Sequence, residues 1–104
     1  MPIDAYEFFE AEETLEAVAE VEHERWAHWQ RYLHDQCVPH DDGSLIIPAE
    51  LVERWARQMA TPYSRLSEEE KVSDREQASL YIEKLTARLR ELPHDAQPNG
   101  PAKD

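Results

Sequence analysis

Val18-Ala-Glu-Val-Glu-His-Glu-Arg-Trp-Ala-His-Trp-Gln-Arg-Tyr-Leu33 decides the reading of this chain. It holds two tryptophans, a tyrosine, two histidines and two arginines. At about 100° per helical residue, Leu15, Val18, Ala19, Trp26, Trp29, Leu33 and Cys37 fall on one stripe. That spacing predicts a long amphipathic helix with a bulky inner face. Glu22 falls inside the stripe and His23 lies on its edge. A carboxylate aimed at a core needs a partner, because an unpaired buried charge is costly.

Working outward, helix one is expected over about 11–36. Before it, Asp4 is placed to cap a short turn. Tyr6, Phe8 and Phe9 are expected to fold back onto the core, since exposed aromatic clusters signal a partner. After it, Val38-Pro-His-Asp-Asp-Gly-Ser44 supplies Pro, Asp-Asp and Gly as breakers. Leu45-Ile-Ile47 is short and β-branched, so a brief extended piece or half of a small hairpin is expected at 44–47. Pro48 suits the first position of helix two, over about 48–60. Leu51, Val52, Trp55 and Met59 share one arc of it. Glu50 with Arg54, and Glu53 with Arg57, are spaced to pair on the wet face.

Pro62 pushes Thr61 toward an extended conformation, so 61–66 is not regular helix. Ser67-Glu-Glu-Glu70 is a capping box that opens helix three. Helix three runs to about Leu92, with Ala78, Tyr81, Leu85, Leu89 and Leu92 on one stripe. Asp74 falls on the same line, and Pro93 closes it. Residues 93–104 lack apolar periodicity and are expected to be a disordered tail. The expected fold is mainly α: one small domain over 1–92, with three main helices and a short extended excursion between helices one and two.

The chain has 104 residues, with 23 acidic against 11 basic side chains, a formal net charge of −12. Such a charge repels nucleic acid phosphates, so no nucleic acid partner is expected. No run approaches the ~20 apolar residues of a membrane helix, so no membrane partner is expected either. Cys37 is the single cysteine, which excludes an intramolecular disulfide. With no signal peptide visible, a cytoplasmic setting is expected. Cys37 reads as core packing rather than as a nucleophile.

His23-Glu-Arg-Trp-Ala-His28 resembles a zinc-protease helix and fails on spacing. Its histidines are five apart, about 140° around a helix, where that motif needs four. No Cys, His and acid cluster has structural zinc spacing, so no metal or cofactor is expected. Two glycines leave no phosphate loop, and no serine sits in a nucleophile elbow. No catalysis is expected.

What remains is Glu22 and Asp74 on apolar stripes, with His23, Arg25, Tyr63, Arg65 and Arg75 nearby in the pattern. A closed network, with Asp74 held by His23 or an arginine, is the plainer structural expectation. Left open beside Trp26, Trp29 and Tyr63, the same groups suit a planar, phosphate-bearing ligand. They also suit a protein-interaction surface.

One resemblance covers roughly residues 15–90. His23-Glu-Arg-Trp26 in a long helix is followed by Pro62-Tyr-Ser-Arg-Leu66. Then comes Ser67-Glu-Glu-Glu-Lys-Val-Ser-Asp-Arg-Glu-Gln-Ala78. This order resembles the ryanodine-receptor (Ryr) repeat domain, in its short stand-alone bacterial and phage form. The resemblance implies a mostly helical fold with minor extended pieces. It implies no enzymatic activity, and a role in binding nucleotide-derived ligands. By motif it carries over His23, Trp26, Tyr63, Leu66, Asp74, Arg75 and Ala78. Glu22 departs from it, standing where an apolar residue is expected.

The functional expectation is therefore a non-catalytic module that binds a nucleotide or nucleotide-derived signal. The expected site is His23, Trp26, Tyr63, Arg65, Asp74 and Arg75. The alternative is a protein-interaction module or a self-associating homo-oligomer with no small ligand.

Overall fold

A computed structural model describes residues 4–92. The expected tail at 93–104 lies outside the described residues. In chain order the elements are α1 (Ala5–Glu10), α2 (Glu12–Gln36), β1 (Val38–Pro39), β2 (Leu45–Ile46), α3 (Ala49–Ala60), a 3-10 turn (Tyr63–Arg65) and α4 (Glu68–Glu91). The fold is mainly α, as expected. The three main helices begin and end within a residue or two of the expected bounds. The strands β1 and β2 pair antiparallel, Val38 with Ile46 and Pro39 with Leu45.

Local chemistry explains most of the boundaries. Asp4 caps α1 by accepting the Tyr6 N–H at 2.8 Å. In the hairpin turn, Asp42 Oδ1 accepts the Ser44 N–H at 2.9 Å and the Ser44 hydroxyl at 2.6 Å. Gly43 there has φ +89, a left-handed conformation that suits glycine. Pro62 at φ −60 opens the 3-10 turn. The capping box of α4 closes on both sides. Ser67 Oγ accepts the Glu70 N–H at 3.2 Å, and Glu70 Oε1 accepts the Ser67 N–H at 3.1 Å.

The chain groups into two compact units: residues 1–24 with 77–104, and residues 25–76. The first contains α1, the first half of α2 and the last part of α4. Among the described residues its buried side chains are Phe8, Thr14 and Val21. Here α2 and α4 run antiparallel, because Glu20 meets Lys84 at 2.8 Å while Glu22 accepts the Tyr81 hydroxyl. Glu22 is exposed rather than core-facing, and it meets Tyr81 at the surface. Tyr81, Leu85, Leu89 and Leu92 are half-buried on the expected stripe of α4.

The second unit contains the rest of α2, the hairpin, α3, the 3-10 turn and the start of α4. None of its side chains is fully buried. Its packing centres on aromatic rings. Trp29 meets Trp55 edge-on at 5.5 Å, and Tyr32 lies 5.5 Å from Trp29. Gln58 of α3 donates to Glu70 of α4 at 2.5 Å.

Several expectations give way. The α2 stripe was expected to bury Leu15 and Trp26, yet these are 67% and 52% exposed. Thr14 and Val21 turn inward instead, about 100° from the centre of that stripe. A single stripe presumes one packing partner along the whole helix, whereas the two halves of α2 belong to different units. The N-terminal aromatics divide: Phe8 is buried, while Tyr6 and Phe9 are exposed. Asp74 is exposed rather than core-facing, and no described residue pairs with it. Among the described residues, Glu50–Arg54 and Glu53–Arg57 form no ion pairs. Arg54 donates instead to the Tyr32 hydroxyl at 3.4 Å. Exposed ion pairs add little, so a nearby phenol competes well.

Candidate functional site

The 3-10 turn and the first two turns of α4 bring the most informative side chains together. Pro62 ends the preceding extended step, and three residues of tight turn place Tyr63 against α4. The capping box fixes the register at which α4 starts. Arg75 then lies two turns after Glu68, on the same face, because seven residues return within about 20° of the start. The Arg75 guanidinium donates from Nε to the Tyr63 hydroxyl at 3.2 Å and from Nη1 to Glu68 Oε1 at 2.9 Å. The Lys71 ammonium sits 5.7 Å from the centroid of the Tyr63 ring, a cation–π contact.

This arrangement stays open. Tyr63 is 49% exposed, and Arg65, at the end of the same turn, is exposed. Among the described residues Arg65 has no ion-pair partner. The Arg75 guanidinium, by hydrogen bond and by charge, holds the Glu68 carboxyl below the usual carboxylate range. Glu68, and then Tyr63, hold Arg75 protonated more firmly than usual. Glu70 is also held low, first by its bonds to Ser67 and then by Gln58.

Of the expected site residues, Tyr63 and Arg75 meet directly. Arg65 lies two residues after Tyr63 in the same turn. Asp74 is exposed beside Arg75, about 100° around α4 from it. Trp26 is 52% exposed on α2, within the same unit. His23 is exposed on α2 and belongs to the other unit. Asp74 was expected to hold the network together; Arg75 does so instead. Helical spacing alone placed Asp74 inward, and the start of α4 is too exposed for that face to close.

Lys71, and the pairing of Glu68 with Arg75, escaped the sequence reading, which took Glu68, Glu69 and Glu70 as an acidic helix start unwelcoming to phosphate. A signal for them existed. Glu68, Lys71 and Arg75 lie three and four residues apart, which sets them in one row along a helix. The missing information was that Tyr63 folds back onto that row.

An open cleft of about 520 Å³ lies in the first unit, lined by Glu13, Glu16, Glu20, Lys84, Arg88 and Glu91 among others. No aromatic ring lines it, and its cations are engaged, Lys84 with Glu20 and Arg88 with Glu91 at 3.5 Å, as Arg75 is with Glu68 in the second unit. An excess of carboxylates makes it a poor seat for an anion. Among the described residues, no three His, Cys, Asp or Glu side chains converge as metal ligands do. No helix there is long and apolar enough to cross a membrane.

Comparison with family models, with curated proteins and with solved structures finds no match for this chain.

Proposed function

We propose that this chain is a non-catalytic recognition module that binds a planar, anionic small ligand of the nucleotide class. The ligand site is in the second unit, at Tyr63, Arg65, Lys71 and Arg75. One observation carries the reading. In a protein of net charge −12, a half-exposed aromatic ring is flanked by Lys71 on its face and Arg75 on its hydroxyl, with Arg65 nearby. A ring offers a stacking surface to a base, and Arg65 and Lys71 offer charge-assisted bonds to phosphate, joined by Arg75 where the ligand takes the place of Glu68. Asp74, exposed next to Arg75, supplies an acceptor for a sugar hydroxyl. The resemblance of residues 15–90 to the Ryr repeat domain points the same way.

A thermal-shift screen against a nucleotide panel tests this. A ligand that binds only the folded state raises Tm, by several degrees at saturating concentration. Tyr63→Ala should remove the shift while the protein stays folded, because Tyr63 is half exposed. A panel in which no nucleotide raises Tm, or a shift kept in Tyr63→Ala, would end the proposal.

A second reading has its own observation. In the second unit Val38, Leu45, Ile46, Ile47 and Val52 are all 40% or more exposed. Aliphatic side chains gathered on a hairpin and the helix after it suit a second copy of the chain. Sedimentation at rising concentration decides whether they serve that purpose.

A further inference from the structure

The first unit presents a different surface. Residues 1–24 contain nine acidic side chains and no lysine or arginine. Within that stretch Phe8 is buried, yet Tyr6 is 77%, Phe9 62% and Leu15 67% exposed. Tyr6 and Phe9 are three apart on α1, so they stand side by side on one face of it. The α1 backbone is held by its Asp4 cap and by the buried Phe8. The exposed rings are thus displayed from a fixed element, where a chain free to bury them would have done so.

We propose that Tyr6, Phe9 and Leu15 form a docking face for a partner protein with a cationic, amphipathic surface. Charge selects this occupant. A second copy would bring the carboxylates of α1 and the first turns of α2 against their like, so self-association through this face is opposed. Nucleic acid and anionic lipid are repelled for the same reason. A basic protein surface, with apolar side chains set among lysines or arginines, satisfies both the rings and the carboxylates. The acids raise the rate of encounter, and the two aromatic rings provide the anchors that large aromatics supply at interfaces. This face lies in the other unit from the proposed ligand site and does not depend on it.

The test uses the full chain and two labelled peptides of equal charge. One is an amphipathic helix with a lysine face and a leucine face; the other has serine in place of leucine. Binding is read by fluorescence anisotropy. The leucine peptide is expected to bind at least about tenfold more tightly than the serine peptide. Affinity should fall as salt rises from about 0.05 M to about 0.3 M, where the Debye length shortens. Tyr6→Ser with Phe9→Ser should remove that advantage, while Phe8 stays in place to keep α1 seated. The same double variant should keep any nucleotide-induced rise in Tm, which separates this proposal from the ligand site. Amide shifts on peptide binding should cluster in residues 4–16. Equal affinity for the two peptides would overturn the proposal, since charge alone would then account for binding. So would an unchanged affinity in the double variant, amide shifts centred on the hairpin, or sedimentation showing a dimer that the double variant dissolves.

Discussion

The first unit keeps all the buried side chains among the described residues, Phe8, Thr14 and Val21; the second keeps none. The charges divide as unevenly. The first unit carries thirteen acidic against four basic side chains, the second ten against seven. The first unit is thus organised by a small buried centre and antiparallel helix pairing. The second is organised by ring-on-ring contact, a hydrogen-bonded hairpin turn and a capped helix start. A region built on burial gains little by exposing its centre. A region built from half-exposed rings and polar contacts leaves those groups within reach of a ligand. That contrast is why the proposed ligand site falls in the unit with the weaker core and the more balanced charge, and the proposed docking face on the surface of the other.

The largest effect that bears on this contrast is Phe8→Ala. Phe8 is 1% exposed, and emptying such a site costs about 3–5 kcal/mol. Urea unfolding should register the loss. Amide exchange should speed up first in α1 and early α2, while α3 keeps its protection. Equal loss in α3 would break the contrast between the units.

Trp55→Ala is the counterpart in the second unit. The ring meets Trp29 at 5.5 Å but is only half-buried, so a cost of about 1–3 kcal/mol is expected. Its exchange signature should centre on α3 and the hairpin. A cost above that of Phe8→Ala would reverse the ranking of the two units.

Thr14→Val sharpens the account with a change of opposite sign. The Thr14 side chain is 2% exposed, and its hydroxyl has no hydrogen-bond partner among the described residues. An isosteric methyl removes that unmet donor and should stabilise the protein by about 1 kcal/mol. A destabilised variant would show that the hydroxyl is satisfied after all.

Ser67→Ala has the smallest expected effect, a loss of about 1 kcal/mol from the α4 cap. It also alters pH dependence. The folded protein holds the Glu70 carboxyl below its ordinary value, chiefly through Ser67. Stability from that carboxylate is present above the ordinary carboxylate range and is lost as pH falls through the folded value. Alanine keeps the backbone N–H that donates to Glu70 Oε1, so unfolding measured across that range should depend on pH somewhat less, by the side-chain part alone. An unchanged pH profile would place the cause elsewhere.

Much of the fold was legible because its boundaries rest on strong local chemistry. Pro48 and the Ser67–Glu70 box each mark a helix start that the structure keeps, and Pro62 marks the break between α3 and α4. The hairpin was half legible. Leu45 and Ile46 read as extended, but their partner strand contains Pro39, and proline argues against a strand. The inward face of α2 was illegible because its two halves pack in different units, and periodicity averages over both. In the candidate site, Tyr63 and Arg75 were both named, and the structure brings them into hydrogen-bond contact. Asp74 was given the role that Arg75 fills, a rotation of one residue. Lys71 was missed because nothing local shows that the ring of Tyr63 lies over α4.

The most direct test of the account is an amide-resolved titration of the isotope-labelled protein with ADP, with adenosine as the control that lacks phosphate. The account predicts shifts at residues 63–65 and 71–75 with ADP, much weaker shifts with adenosine, and none in α1. Equal shifts from both compounds, or no shift in the second unit with ADP, would contradict the claim that its cations and its exposed ring form an anion-selective site.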